Sequence, residues 1–386
     1  MTPKRAGIAG LVFAFLAFFV AVPPLLIRSP VVVVVLGILG IVGGMYAIRG
    51  DHLRLGYGGI ALNVVGIAGG LAATQTGTAS LERVVVWGAL LAATLRYATP
   101  LLFGALGGLF SERSGVINIA LEGMMLIGAF FGAWGADVTG SWLLGIVIAI
   151  VAGGLFAIIH AVFAVSLRAD QIVSGTALNF LALGITGYLF IDIYGTEGTP
   201  DDLPRVPSVD LPIDGIPLIG DVFGNLNLLI WVALLMVLVT WVVVFRTPTG
   251  LRLRSAGENP LAAETAGLSV VRIRYLAVMT SGSLAALGGA FLSIGFVGSF
   301  GQGMTQGRGF IALAALIFGR WRPGGALAAT LLFGFGSALA PRLVEFSQSG
   351  AVLFQALPYV LTLIAVTGVI GRSVPPASIG RPLPRS

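Results

Sequence analysis

The chain has 386 residues, 57% of them hydrophobic and 10% charged, with a net charge of +6 and no cysteine; its mean hydropathy is +1.00. That balance excludes a soluble globular protein, disulfides, thiolate chemistry and Cys-ligated metal, and apolar runs of about 20 residues have the length of a bilayer span. Lys4 is the sole lysine among 22 cations, so a nucleic-acid-binding face is a poor account of the charge, whereas arginines at span ends fit the positive-inside rule.

Twelve apolar segments follow in chain order, at 7–27, 30–48, 56–74, 84–109, 115–136, 142–166, 172–193, 226–245, 275–297, 300–319, 324–341 and 353–371. They predict an all-α, polytopic transmembrane helical bundle of about 10–12 spans. Lys4 and Arg5 before an apolar core resemble a signal peptide. The core is long and a second span follows at once, which reads as an uncleaved anchor. With the N-terminus inside, 16 of the 22 cations fall on the inner side, so both termini are expected inside. The chain divides into N-terminal extra spans (1–80, peripheral), a core (81–372), an inner loop within it (246–275) and a tail (373–386).

The stretch SERSGVINIALEG, Ser111 to Gly123, sets Glu112, Arg113, Asn118 and Glu122 between apolar runs. Unpaired polar groups in hydrocarbon cost several kcal/mol, so they mark either a translocation path or ties between helices. Asn118 and Glu122 are four apart and share a face if the segment is helical. Glu122 either faces substrate, pairs with Arg96 or caps a broken helix. His160, alone in an apolar run, reads as a packing residue. After Arg168 and Asp170 come Gln171, Ser174, Thr176 and Asn179. Asn179 is the deepest and the preferred ligand contact, while the two hydroxyls are expected to bond backbone one turn back.

Two loops are long. The outer one, Gly195 to Asn225, is rich in Pro, Gly and Asp and reads either as a connector or as a docking surface for an external protein. The inner one, Arg246 to Tyr275, carries Asn259 and Pro260 as a helix start and Gly267 as its stop. Arg252 and Arg254 with Glu258 suit a partner's groove, and Leu261, Ala262, Ala263 and Leu268 supply a small apolar face. Further on, GSFGQGMTQGRGF, Gly298 to Phe310, reads as a broken or re-entrant helix near the substrate path. Phe300 and Phe310 are candidates to stack a planar ring, with Gln302 and Gln306 bonding its edge, against the alternative of plain packing. No G-x-x-x-x-G-K-[ST] loop is possible when the sole lysine is Lys4, so the chain is not itself a P-loop ATPase. No metal site is expected.

Three stretches together resemble one family: RYATPLLFGALGGLFSERSGVINIALEGMMLIGAFFGAW with RADQIVSGTALNFLALGITGYLF, GLRLRSAGENPLAAETAGLSV, and GFIALAALIFGRWRPGGALAA. They are similar, in the same order, to permease subunits of nucleoside-type ABC importers in the branched-chain amino acid and simple-sugar permease superfamily. The resemblance spans about 84–370 and is weaker over the first 80 residues. It implies two permease subunits, identical or different, two ATPase subunits that hydrolyse the ATP, and an extracellular substrate-binding lipoprotein, in a bacterial plasma membrane. The chain itself is then no enzyme and needs no cofactor. The resemblance also implies an ATPase-coupling role for Glu258, Asn259, Ala263 and Gly267, although the loop departs from the EAA motif of other ABC importers. Where sugar permeases carry a GIDLSVG-like segment this chain has GVINIALEG, which favours nucleoside. The alternatives are a permease for a simple sugar or branched-chain amino acid and a gradient-driven secondary carrier; few intramembrane ionisable groups weaken the latter.

Overall fold

The structure, a computed structural model, describes residues 2–23, 25–75, 86–213, 215–344 and 374–382. It is the expected polytopic all-α bundle: among the described residues, nine helices are long and apolar enough to cross a membrane. Chain order runs α1 (Pro3–Phe19), α2 (Pro30–Arg49), α3 (Leu53–Gln75), α4 (Trp87–Arg113), α5 (Leu121–Thr139), α6 (Trp142–Ala161) and α7 (Gln171–Tyr194). After an outer loop come α9 (Leu228–Arg246), α10 (Pro248–Glu258), α11 (Pro260–Thr265), α12 (Val270–Ala290), α13 (Arg308–Phe318) and α14 (Pro323–Val344). Helices α6 and α12 each end in a π-helical turn, Val162–Ser166 and Phe291–Val297. The expected span at 353–371 lies outside the described residues. Two expected spans are interrupted: 115–136 becomes helical only at Leu121, and of 300–319 only the 11 residues of α13 are helical.

The chain groups into two compact units, residues 1–94 with 332–373, and residues 95–331 with 374–386. In the first, α1, α2 and α3 cross at small residues, where Gly10 lies against the backbone of Gly40 and Gly44 and Gly66 against that of Ala14. Lipid tails are as apolar as side chains, so close backbone approach replaces the hydrophobic drive between spans. Asn63, fully buried, fixes the register by donating to the carbonyls of Gly10 (2.9 Å) and Gly59 (2.7 Å).

In the second unit, α5 and α12 pack through Gly128 on Ala286, and α6 and α12 through Gly153 on Gly282. Around them Leu102, Phe103, Phe130, Phe291 and Ile294 form a buried core. Caps explain the starts. Asp170 accepts from the amides of Ile172 (2.8 Å) and Val173 (2.9 Å) ahead of α7, and Thr247 accepts from Gly250 (3.2 Å) with Pro248 in the first position of α10. The outer loop holds a short antiparallel pair, β1 (Ser208–Asp210) with β2 (Asn225–Asn227), and a single turn α8 (Ile219–Phe223). Asn227 ties it down, capping α9 through Leu229 (2.9 Å) and donating to Val206 and Gly295 (both 3.0 Å).

Candidate functional site

Between α4 and α5, residues 114–120 are not helical. The segment lies beside α4 within the span: the Leu121 side chain reaches the position of Gly108, and Met125 that of Gly104. Non-helical backbone at that depth persists only where protein or water satisfies it, and here polar side chains do so one by one. The Ser114 carbonyl accepts from Arg274 Nε (3.1 Å), and Ser111 Oγ donates to the Val116 carbonyl (2.8 Å). The Ile117 amide donates to Gln171 Oε1 (2.8 Å) and its carbonyl accepts from His160 Nε2 (2.9 Å). Asn179 spans the end of the break, donating to the Ile119 carbonyl (3.0 Å) and accepting from the Gly123 amide (2.8 Å).

Asn118 and Glu122 therefore do not share a helix face, since Asn118 precedes the helix. Asn118 is fully buried and donates to Ser281 Oγ (2.9 Å), with Met124 Sδ at 3.3 Å; its Oδ1 has no partner among the described residues. Glu122 accepts from the amides of Gly307 (2.7 Å) and Gly309 (2.6 Å), at the start of α13. Of its three readings, the geometry is that of the cap: a carboxylate on the unpaired N–H groups and positive dipole end of a half-helix. Arg96 is exposed. Thr176 and Ser174 bond back to Ile172 (2.8 Å) and Gln171 (3.3 Å), as expected.

The second break, residues 298–307, precedes α13. Phe300 is 4% exposed, with the rings of Phe130 and Phe190 against it at centroid distances of 5.2 and 5.3 Å. Gln302, Gln306 and Phe310 are exposed, Phe310 by 47%. The structure thus brings Asn118, Glu122 and Asn179 together around the two breaks, keeps Phe300 in the core, and leaves Gln302, Gln306 and Phe310 exposed among the described residues.

At the Arg113 end of α4, the coupling candidates gather. Asn259 caps α11 by accepting from Ala262 (3.1 Å), Pro260 opens it, and Gly267, at φ +81°, follows its end. A groove of about 440 Å³ is lined by Leu251, Arg252, Glu258, Asn259, Ala263 and Leu268, among others. Arg252 is exposed, whereas Arg254 and Arg113 both lie 5.4 Å from the Phe245 ring. Gly257 of α10 abuts the Arg113 carbonyl so closely that a Cβ would collide with it. Glu112, 3% exposed, accepts from Trp321 Nε1, and Arg113 donates to the Trp321 carbonyl (2.8 Å). No cluster able to hold a metal occurs among the described residues.

The family model described as the permease component of branched-chain amino acid transport systems matches residues 90–366. The chain belongs to this permease family. The permease is similar to the guanosine ABC transporter permease protein NupQ of Bacillus subtilis, 43% identical over 319 residues that cover 78% of this chain and 98% of that one. It is likewise similar to the nucleoside ABC transporter permease protein NupC of Lactococcus lactis, 39% identical over 75% and 95% of the two chains. A putative glucose ABC transporter permease protein of Haloferax volcanii is 39% identical over 67% and 78%. No solved structure matches.

Three residues that sequence reasoning placed too simply bond the first break. Arg274 counts in the sequence as one more inner-side cation, yet it is fully buried on the first break. Its signal was position: it lies inside a helix that continues as a span. His160 and Gln171 serve the backbone of the same break, a use that side-chain periodicity does not encode.

Proposed function

We propose that this permease carries nucleosides inward as one subunit of an ATP-driven importer in a bacterial plasma membrane, with both termini cytoplasmic. The observation that carries the reading is the 43% identity across nearly the whole of a guanosine permease. The geometry fits it: two half-broken spans meet at Glu122, and the end of α10 touches the start of one of them. ATP hydrolysis belongs to partner ATPase subunits, which dock on the groove of Arg252, Glu258, Asn259 and Ala263, with Arg254 held over Phe245 and Gly267 setting the exit from α11. A second permease subunit completes the pore, and an external lipoprotein delivers substrate, with no cofactor bound by the permease itself.

In this reading Gln302 and Phe310 meet the nucleoside. Asn118, Glu122 and Asn179 shape its path by holding the breaks, and Phe300 backs them from the core. When the ATPase moves α10 and α11, Gly257 pushes on Arg113, and the 114–120 segment shifts against α6, α7 and α13. A simple sugar is the second reading, supported by the glucose permease relative at 39% identity.

Purification of the tagged chain from its native membrane in mild detergent with ATP tests the assembly. Recovery of an ATPase, a second permease and a lipoprotein is expected. Recovery of the chain alone contradicts the reading and favours a gradient-driven carrier.

A further inference from the structure

The C-terminal segment 374–382 is not a free tail. Ser378 donates twice to the Gly257 carbonyl, from its amide (2.9 Å) and its hydroxyl (2.6 Å). That carbonyl lies in the last turn of α10, where no intrahelical donor remains for it. One residue earlier, the Ala377 amide donates to Glu258 Oε2 (3.2 Å). Two residues later, the Gly380 amide donates to the Gly115 carbonyl (3.1 Å) in the first break. Arg274 joins both, its Nε on the Ser114 carbonyl (3.1 Å) and its Nη1 on the Arg381 carbonyl (3.3 Å).

We infer that this segment is a strap that fastens the ATPase-docking helices to the broken span, with Ser378 and Arg274 as its positioning residues. The inference rests on the importer reading above and adds to it a named mechanical link. Apart from the strap, α10 meets the break by packing, with Gly257 against the Arg113 carbonyl and the Gly115 amide and Ala256 in one buried cluster with Val116, and packing transmits a push better than a pull. The bonds of Ser378, Gly380 and Arg274 make the crossing two-way. Beyond it the break is bonded onward to His160, Gln171 and Asn179, so a displacement of α10 reaches α6 and α7. Burial argues the same way. Arg274 is fully buried with Nη2 unpartnered among the described residues, its bonds to Ser114 and Arg381 go to carbonyls, and burying a guanidinium in this way costs stability. A surface tail needs no such anchor.

The test is the number of nucleosides imported per ATP hydrolysed by the reconstituted complex. A merely structural role lowers both rates together and leaves this ratio unmoved. For a chain ending at Ser373, and for Ser378→Pro, which removes both donors, the ratio is expected to fall at least about tenfold while hydrolysis continues. Ser378→Ala keeps the amide bond and should lower the ratio about fivefold, the worth of one hydrogen bond; it decides the case in which the shortened chain does not assemble. An unchanged ratio in Ser378→Ala together with Ser378→Pro or the shortened chain overturns the strap and leaves the importer standing. A wild-type complex that hydrolyses ATP without importing nucleoside overturns the importer reading, and the strap with it.

Discussion

Glu122 and Asn179 each hold backbone rather than one another. The Glu122 carboxylate takes the amides of Gly307 and Gly309, two charge-assisted bonds at a helix start. Glu122→Ala leaves both amides unpaired and should destabilise the fold by about 2–4 kcal/mol, seen as a lower Tm in detergent together with lost uptake. Glu122→Gln retains one acceptor and should fall between. A Tm unchanged in Glu122→Ala would remove the capping role. Asn179→Leu opens the Ile119 carbonyl and the Gly123 amide, at about 2–4 kcal/mol, and Asn179→Asp, which keeps the acceptor for Gly123 but sets a carboxylate oxygen against the Ile119 carbonyl, should cost no less by the same thermal assay. At this scale the sequence marks residues well and partners poorly. Asn118, Glu122 and Asn179 are conspicuous because polar groups in apolar runs are rare. The bonds of Glu122 and Asn179 go to backbone at the edges of the two breaks and those of Asn118 to Ser281 and Met124 across the bundle, and no periodicity announces these partners.

Cap chemistry governs the elements proposed to couple to the ATPase. The start of α11 at Asn259 and Pro260, and its stop before Gly267, are legible from residue type alone. Helix α10 is not found by apolar periodicity, because PTGLRLRSAGE spends its buried positions on glycine, alanine and one leucine; the Thr247–Pro248 cap was its available signal. The two breaks are legible as glycine-rich or polar interruptions, but their lengths are not, since a helix resumes where a cap is found in space. Gly267 has φ +81° and open space where a side chain would stand, so Gly267→Val meets backbone strain of about 1–3 kcal/mol rather than a clash. Transport should drop with ATP hydrolysis persisting and the complex intact. Equal loss of both rates would mean that the exit from α11 serves only assembly.

For the molecule as a whole, composition sets the class and the spacing of apolar runs gives most spans. The interruption of two of them, and the contact of α10 with one, are the features on which the proposed mechanism rests. The family match begins at residue 90, so α1–α3, with their glycine crossings and Asn63, lie before the matched residues. The central claim is that ATP spent on the Arg113 end of α4 moves nucleosides through the breaks. It is tested most directly by uptake of radiolabelled guanosine into proteoliposomes holding the permease with its ATPase, second permease and binding protein. Accumulation that requires ATP and the ATPase, and vanishes in Glu122→Ala, is the predicted result. Accumulation by the chain alone without ATP, or ATP hydrolysis with no guanosine gained, would contradict it.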